Sequence, residues 1–572
     1  MNLTRIQEFF FKKPTGWDVL WMILFVVLIT YQPFYMHHEI IMMETGIHLP
    51  AINALFHGAV PYRDFFFLRG PLELYAPAVL MKIFGINSAV LPTFYYAGTV
   101  LTLIFCVILA GELFQSRLIF YAMVPVFIAR TFPRISYYYW GGMRYAIGFL
   151  VILLLFYFLR TGRRRWIFLC GMISGLSALT TVEAGFSTVF AVMAALGFAW
   201  IFQIRPRRLV WPSFWMFCVG FATVLVPYFL YLIQTDSLHA FFQSTYVVVA
   251  LSNGQFPGAA GVKPETLSEF LLACIPGTKF FKYLTVFWCY IFFAGFLFHK
   301  AQQKKLNVTH VFLVGLASYG LVLYAAAFRK IEGHHFEMAL QAEKFIYFFM
   351  VECFLLFLWE RWVTARALRT WRRRLVYLAV AGVFLSSIAY SIQRFDRRFV
   401  MFKLIEKDVF HKKKVKGLSF LEGQETVALN IERARGNTVP RWQEEEVRGV
   451  VDFLKLHTHS GEKVFCFPEV ANFNFWADRP FVGRFPIATY SWFYEPWFQE
   501  LVSDFKKAKP RYVVMTHVGH RTFPEAWYFR NPRNRERFEF VTDLILKNYE
   551  PVKSFESVSI YQIKSSRQPF VE

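Results

Sequence analysis

The chain has 572 residues, of which 56% are hydrophobic and 20% aromatic, and 69 of them are phenylalanine. This composition excludes a large water-soluble enzyme and predicts a polytopic membrane protein. The formal net charge of +23 would suit a nucleic-acid-binding protein, but much of the excess lies in short loops between apolar runs. Because that distribution is typical of cytoplasmic loops, we expect no nucleic-acid partner.

Eleven apolar runs are candidates for crossing the bilayer. The first follows Lys12 and Lys13 and has no small-residue cleavage site, so we interpret it as a membrane anchor and not as a signal peptide. Placing the basic loops in the cytoplasm gives a cytoplasmic N-terminus and predicts a helical membrane domain over residues 1–392. The runs cover roughly 17–35, 89–111, 118–131, 140–160, 166–183, 185–204, 211–233, 281–299, 309–328, 339–360 and 375–392.

Residues 36–88 are predicted to form one long external loop. The run 71–85 within it carries Glu73 and Lys82 and has about fifteen residues, whereas a bilayer crossing needs about twenty. If this run crossed, the arginine-rich loop at 160–165 would lie outside, against the charge rule. We therefore predict two helices in this loop that lie on the outer membrane surface.

Beyond the membrane domain, residues 393–416 read as a basic linker and residues 417–572 as an extracytoplasmic α/β domain. This domain lacks a glycine-rich phosphate loop, a nucleophile elbow and metal-ligand spacing, so a structural or acceptor-binding role is favoured. Its periodicity predicts helices at 444–456, 498–506 and 536–547, strands at 463–467 and 511–516, and a closing β-pair within 552–563.

Acidic residues near the outer ends of spans are the candidate catalytic bases. Glu39 and Glu44 follow the first span, Asp64 lies in the first loop, and Glu183 lies at the end of a later span. A carboxylate at the mouth of a membrane cavity can take the proton of an acceptor hydroxyl, and partial desolvation raises its pKa. Solvated helix termini would explain the two glutamates without catalysis, and a local salt bridge with Arg63 would explain Asp64.

Cations near the outer surface are the candidates for binding a phosphate. Arg63 and Arg69 flank an aromatic stretch of the first loop, Arg144 lies a few residues into a span, and Arg329 and His335 belong to a later external loop. Snorkelling to lipid headgroups is the alternative for the two first-loop arginines. An ordinary polar turn is the alternative for the later loop.

Histidines near the first span raise the question of a metal. Glu44 and His48 would share one helix face at i, i+4 spacing, with His37 and His38 nearby. This spacing matches no metal-ligand motif, and five of the seven cysteines lie inside apolar runs. We therefore expect no cofactor and no disulfide framework, with a divalent metal as the alternative.

The first external loop contains, in order, the motifs Glu44-Thr45-Gly46, Gly58, Pro61-Tyr62-Arg63-Asp64-Phe65, Arg69-Gly70-Pro71-Leu72 and Phe84-Gly85. With these motifs the loop resembles that of bacterial GT-C glycosyltransferases, the polyprenyl-phosphate-sugar-dependent enzymes related to protein O-mannosyltransferases and the lipid A aminoarabinose transferase. The segments 175–185 and 329–335 look like later external turns of the same family.

The resemblance implies a GT-C fold of about eleven transmembrane helices in the bacterial inner membrane. It also implies inverting sugar transfer from a polyprenyl-phosphate donor to an external glycan, lipid or protein acceptor. The family's first-loop acid maps to Glu44 and its phosphate-binding cation to Arg69. Two departures stand out: the family usually has Asp at the position of Glu44, and residues 130–144 lack the acid that many members carry there. Glu183 is the candidate replacement for that second acid.

Two other functions remain open on the sequence. A transporter or flippase of lipid-linked sugars would show charges paired in mid-span and inverted repeats, and neither is clear here. A non-catalytic envelope-assembly protein would bind glycan through residues 417–572. The sequence specifies neither the sugar nor the acceptor.

Overall fold

The structure, a computed structural model, describes most of the chain apart from its ends and several internal segments. Its residues fall into two compact units, each assembled from separate parts of the sequence: unit 1 from Met1–Gln32, Tyr95–Leu225 and Ala259–Leu418, and unit 2 from Pro33–Phe94, Val226–Gly258 and Ser419–Glu572. The described ranges are 12–30, 42–131, 142–251, 281–327, 341–362, 426–517 and 528–564, together with a few isolated positions.

Thirteen α-helices precede the first β-strand in the described residues. Ten of them coincide with ten of the eleven predicted spans, and the eleventh run lies outside the described ranges except for isolated positions. The helices are α1 (Gly16–Thr30), α2 (Met42–Phe56), α3 (Leu72–Phe84), α4 (Val90–Leu113), α5 (Arg117–Thr131), α6 (Met143–Thr161), α7 (Arg164–Ala178), α8 (Val182–Ile201), α9 (Arg207–Gln234), α10 (Leu238–Tyr246), α11 (Phe281–Gln302), α12 (Val308–Ala327) and α13 (Gln341–Trp362).

Length and composition mark five of these helices as able to cross a membrane: α4, α6, α8, α9 and α12. Helices α1 and α5 are apolar but shorter. An ideal helix rises 1.5 Å per residue, so about twenty residues are needed for a hydrocarbon core of about 30 Å. The chain is therefore an integral membrane protein, while the predicted number of eleven spans is not confirmed by the described residues.

Glycines bring helices α7 and α9 of unit 1 into backbone contact. A Cβ added at Gly171 would overlap the carbonyl oxygen of Phe217, and one added at Gly220 would overlap the carbonyl oxygen of Phe168. Gly171 and Gly175 have the four-residue spacing of a membrane helix-packing motif. Small residues serve this purpose in lipid because dispersion and close approach drive helix association there.

Buried carboxylates tie the ends of helices together within unit 1. Asp18 of α1 accepts hydrogen bonds from Arg117 Nε at 3.0 Å and Tyr121 Oη at 2.7 Å. Glu352 of α13 is buried and accepts the backbone N–H of Ser116 at 2.8 Å and that of the preceding residue at 2.9 Å. These amides stand at the start of α5, where the helix dipole favours a negative charge.

The segment predicted to be the first external loop contains the two helices α2 and α3, and two helices were expected there. Helix α3 has 13 residues and therefore spans about 20 Å, which is too short for a bilayer crossing. Its exposed apolar side chains include Val79, Ile83 and Phe84. The placement of these helices on a membrane surface stays a prediction.

The C-terminal part of unit 2 is the predicted α/β domain. Its four-stranded sheet has the order β3-β4-β6-β5, with β3 and β4 parallel and the other neighbours antiparallel. The sequence pattern does not predict the hairpin β1–β2 or the short helix α15. The elements are β1 (Thr426–Ala428), β2 (Thr438–Pro440), α14 (Arg441–His457), β3 (Phe465–Phe467), α15 (Asn472–Ala477), α16 (Glu495–Ala508), β4 (Tyr512–Thr516), α17 (Pro532–Asn548), β5 (Tyr549–Ser554) and β6 (Val558–Ile563).

Helices cover both faces of this sheet. On one face, Phe465 of β3 contacts Phe505 of α16, with ring centroids 4.8 Å apart. On the other face, Tyr512 of β4 contacts Phe453 of α14 at 5.4 Å. Because Phe465 pairs with Val513 and side chains alternate along a strand, Tyr512 points to the opposite face. This arrangement explains why every residue of β3 and β4 is buried.

The contact between α7 and α9 predicts a specific sensitivity to added volume. We expect Gly220→Ala to lower the free energy of unfolding by about 1–3 kcal/mol, because the new methyl group meets backbone that cannot move aside. Thermal unfolding of the detergent-solubilised protein measures this effect. Gly197→Ala in α8 is the matched control, since its Cβ would meet nothing within 4 Å. Equal destabilisation by the two variants would contradict the proposed packing.

Candidate active site

Helix α2 brings Glu44 and His48 one turn apart on the same face. His48 is buried, and its ring meets the ring of Phe67 edge-on, with centroids 5.4 Å apart. Phe67 lies two residues before Arg69 in the same loop. The face of α2 that carries Glu44 therefore adjoins the segment that carries Arg69.

Arg69 forms an ion pair with Glu73 at the start of α3. Its Nη1 donates to Glu73 Oε2 at 2.8 Å, and the Arg69 side chain is 12% exposed while that of Glu73 is fully buried. A planar guanidinium held by one carboxylate has a restricted orientation. In the sequence, Glu73 indicates only a charge that opposes membrane insertion, and the i, i+4 spacing of the two residues is the signal from which their pair could be predicted.

Tyr62 fixes the backbone at Arg69. Its hydroxyl donates to the carbonyl oxygen of Arg69 at 3.0 Å, and its ring meets that of Phe241 edge-on at 5.0 Å. Burial raises the pKa of Tyr62, so the hydroxyl remains a donor. Its φ of +70° is strained for a bulky residue and costs about 1–3 kcal/mol, which the surrounding contacts must offset.

Arg63 and Asp64 form a two-pronged ion pair. Arg63 Nε donates to Asp64 Oδ1 at 2.7 Å and Arg63 Nη2 to Asp64 Oδ2 at 2.9 Å, while Arg63 Nη1 donates to the carbonyl oxygen of Thr235 at 3.1 Å. The hydrogen bonds from Arg63, and a further one from the Val60 N–H, hold the pKa of Asp64 below its usual value. A depressed pKa makes a carboxylate a weak base. These contacts favour Asp64 as the orienting partner of Arg63.

Two further candidates meet within unit 1. Arg144 Nη1 lies 3.9 Å from Glu183 Oε1, which joins the start of α6 to the first turn of α8. Glu183 also has the position in which an acidic side chain stabilises a helix N-terminus. The pair thus has a structural explanation, and the roles predicted for both residues stay predictions.

The other candidates lie outside the described ranges or have no described side chain. Glu39, Arg329 and His335 belong to segments that the structure does not describe, and Glu44 is described by its backbone alone. Among the described residues, no three His, Cys, Asp or Glu side chains gather as metal ligands would. The absence of a metal or cofactor therefore stays a prediction.

These observations define an integral membrane protein in which the segment 42–88 packs with an α/β domain in one compact unit. No protein-family model matches the sequence, and no curated protein matches it either. Solved structures do match, and they show the fold: the chain has the fold of ArnT, a membrane protein whose structure is known with undecaprenyl phosphate bound. The fold predicted from the first-loop motif is thereby confirmed.

Two of the matching structures are of ArnT from Cupriavidus metallidurans. The form bound to undecaprenyl phosphate has a TM-score of 0.51 and 12% sequence identity, covering 96% of this chain and 99% of that one. The apo form gives the same TM-score and identity and covers 96% and 97%. An Archaeoglobus fulgidus oligosaccharyltransferase in complex with Zn and sulfate matches at 12% identity with a TM-score of 0.43, covering 94% and 72%. The fold assignment rests on ArnT.

The two first-loop ion pairs predict losses of stability of very different size when their arginine is removed. We expect Arg69→Met to lower the free energy of unfolding by about 3–5 kcal/mol, because it leaves the buried Glu73 without this cation. Combining it with Glu73→Leu should restore most of the stability. Arg63→Met should cost much less, because both partners are partly exposed and solvent screens the pair. Chemical denaturation gives these values, and similar losses for Arg69→Met and Arg63→Met would refute the distinction.

Proposed function

We propose that the chain transfers a sugar from a polyprenyl-phosphate donor to an acceptor on the outer side of the membrane. The proposal is carried by the ArnT fold over nearly the whole chain, combined with the contact between His48 and Phe67 that joins the Glu44 helix to the Arg69 segment. The ArnT structure binds undecaprenyl phosphate, which supports a donor of that chemical class here.

Arg69 is the proposed ligand of the donor phosphate. Guanidinium groups suit phosphate oxygens in charge and geometry, and the ion pair with Glu73 limits the orientations that Arg69 can adopt. The hydrogen bond from Tyr62 holds the Arg69 backbone at the same time. This preorganisation reduces the entropy lost when the donor binds.

Glu44 is the proposed general base. It removes the proton from the acceptor hydroxyl as the acceptor oxygen bonds to the anomeric carbon of the sugar. The bond between that carbon and the phosphate oxygen breaks, and the electron pair leaves with the polyprenyl phosphate, whose charge Arg69 balances. Attack opposite the leaving phosphate inverts the configuration at the anomeric carbon.

Four further residues, the membrane placement and the acceptor complete the proposal. Arg144, Arg329 and His335 are proposed as further contacts of the phosphate or sugar, and Glu183 as a second acid. The charge pattern supports a bacterial inner-membrane protein with a cytoplasmic N-terminus and an extracytoplasmic C-terminal domain. The acceptor is a glycan, a lipid or a protein.

Glu44 variants test the proposal. The assay supplies undecaprenyl phosphate carrying mannose, N-acetylglucosamine or aminoarabinose, with bacterial membranes as acceptor, and follows release of undecaprenyl phosphate. We expect Glu44→Gln to lower kcat by about 10²–10⁴-fold through loss of the base, and Glu44→Asp to retain partial activity.

Asp64→Asn is the control for this experiment, because the ion pair with Arg63 accounts for that carboxylate. It should retain more activity than Glu44→Gln. Full activity in a folded Glu44→Gln protein would remove Glu44 as the base. Movement of lipid-linked sugar across liposomes without covalent transfer would instead identify a flippase.

A further inference from the structure

Helix α2 is held by the C-terminal domain at two points about two turns apart. Near its start, Asn472 Nδ2 donates to Thr45 Oγ1 at 2.9 Å. Towards its end, Asn53 Nδ2 lies 3.4 Å from the carbonyl oxygens of both Asn474 and Arg479. All of these contacts lie within unit 2. Two polar anchors on one helix restrict both its rotation and its movement along its axis.

Both residues of the hydrogen bond between Asn472 and Thr45 are buried. Thr45 is 3% exposed and Asn472 is 0% exposed. Leaving a buried hydroxyl or amide without its hydrogen-bond partner costs about 1–3 kcal/mol of stability. This hydrogen bond therefore disfavours any other rotation or axial position of α2. Rotation of α2 by one residue position, about 100°, would turn Thr45 away from Asn472.

Asn472, which donates the hydrogen bond to Thr45, is itself held in place by packing. Helix α15, which carries Asn472, has all six residues buried. Asn474 Nδ2 in the same helix donates to the carbonyl oxygen of Val464 at 3.0 Å and lies 3.2 Å from that of Pro480. These bonds attach α15 to the segments beside β3. Asn472 thus presents its amide from the core of the domain.

We propose that Asn472 is a positioning residue for Glu44. Thr45 is the residue directly after Glu44, so the bond that sets Thr45 also sets the rotation at which α2 presents Glu44. This inference rests on the proposed function, in which Glu44 is the base. It makes the C-terminal domain part of the catalytic apparatus and not a separate glycan-binding module.

Steady-state kinetics of full-length proteins with substitutions at Thr45 and Asn472 test this inference. We expect Thr45→Val and Asn472→Ala each to lower kcat by about tenfold or more, because small misplacements of a reacting group are costly. The KM for the donor should stay within about twofold, and the double variant should be no worse than Asn472→Ala alone. Thr45→Ser keeps the hydroxyl and should keep most of the activity.

Asn437→Ala is the matched control. Asn437 is also buried and accepts a hydrogen bond from Ser88, a first-loop residue outside helix α2. It should lower the thermal stability of the protein, as the loss of a buried hydrogen bond does, while leaving kcat close to that of wild type. If Asn437→Ala lowers kcat as far as Asn472→Ala does, the effect is a general loss of stability and the positioning role is refuted.

Hydrogen exchange tests the positioning role of Asn472 independently of the proposed sugar transfer. The amides of residues 46–49, whose helical hydrogen bonds go to the carbonyl oxygens of the first turn of α2, should exchange faster in Asn472→Ala than in wild type or in Asn437→Ala. Unchanged exchange would overturn the positioning role whatever the activity. Faster exchange with unchanged kcat would overturn its link to catalysis. Failure of the wild-type chain to transfer any sugar would count against the proposed function and, with it, the catalytic role of Asn472.

Discussion

The requirement that buried polar groups be paired shapes the second unit of this protein. At the end of helix α2, Arg433 donates to Asn53 Oδ1 at 2.7 Å and forms an ion pair with Asp478 at 2.8 Å. Arg433 also donates to the carbonyl oxygen of Phe475 at 3.2 Å. A largely buried guanidinium is costly without such partners, so the first loop and the C-terminal domain stabilise each other.

The same loop is held at a second place. Phe66 lies among Phe485, Tyr490 and Trp497, with ring centroids 5.0–5.8 Å apart, and its N–H donates to the Arg484 carbonyl oxygen at 2.7 Å. This aromatic site lies three residues before Arg69 in sequence. The helix with the proposed base and the loop with the proposed phosphate ligand thus share one support, which suits a reaction that depends on positioning.

Local sequence patterns predicted most helices and strands, but they did not predict which residues contact each other in the fold. Periodicity predicted α14, α16 and α17, because each buries one face at a regular spacing, and short apolar or alternating runs predicted β3, β4 and the closing pair β5–β6. It missed α15, whose six residues are all buried and therefore show no amphipathic alternation. The residues of α15 also contact a helix more than 400 positions earlier, and no local signal records that separation.

The sequence by itself determined the membrane class, the ten helices that coincide with predicted spans, the two first-loop helices, the α/β domain and the first-loop motif, because hydropathy and spacing act over neighbouring residues. Only the tertiary structure decided that Glu73 pairs with Arg69, that Asp64 pairs with Arg63, and that Asn472 reaches Thr45. Each of these contacts depends on which polar groups become buried together. That outcome follows from packing of the whole chain, which no short window of sequence contains.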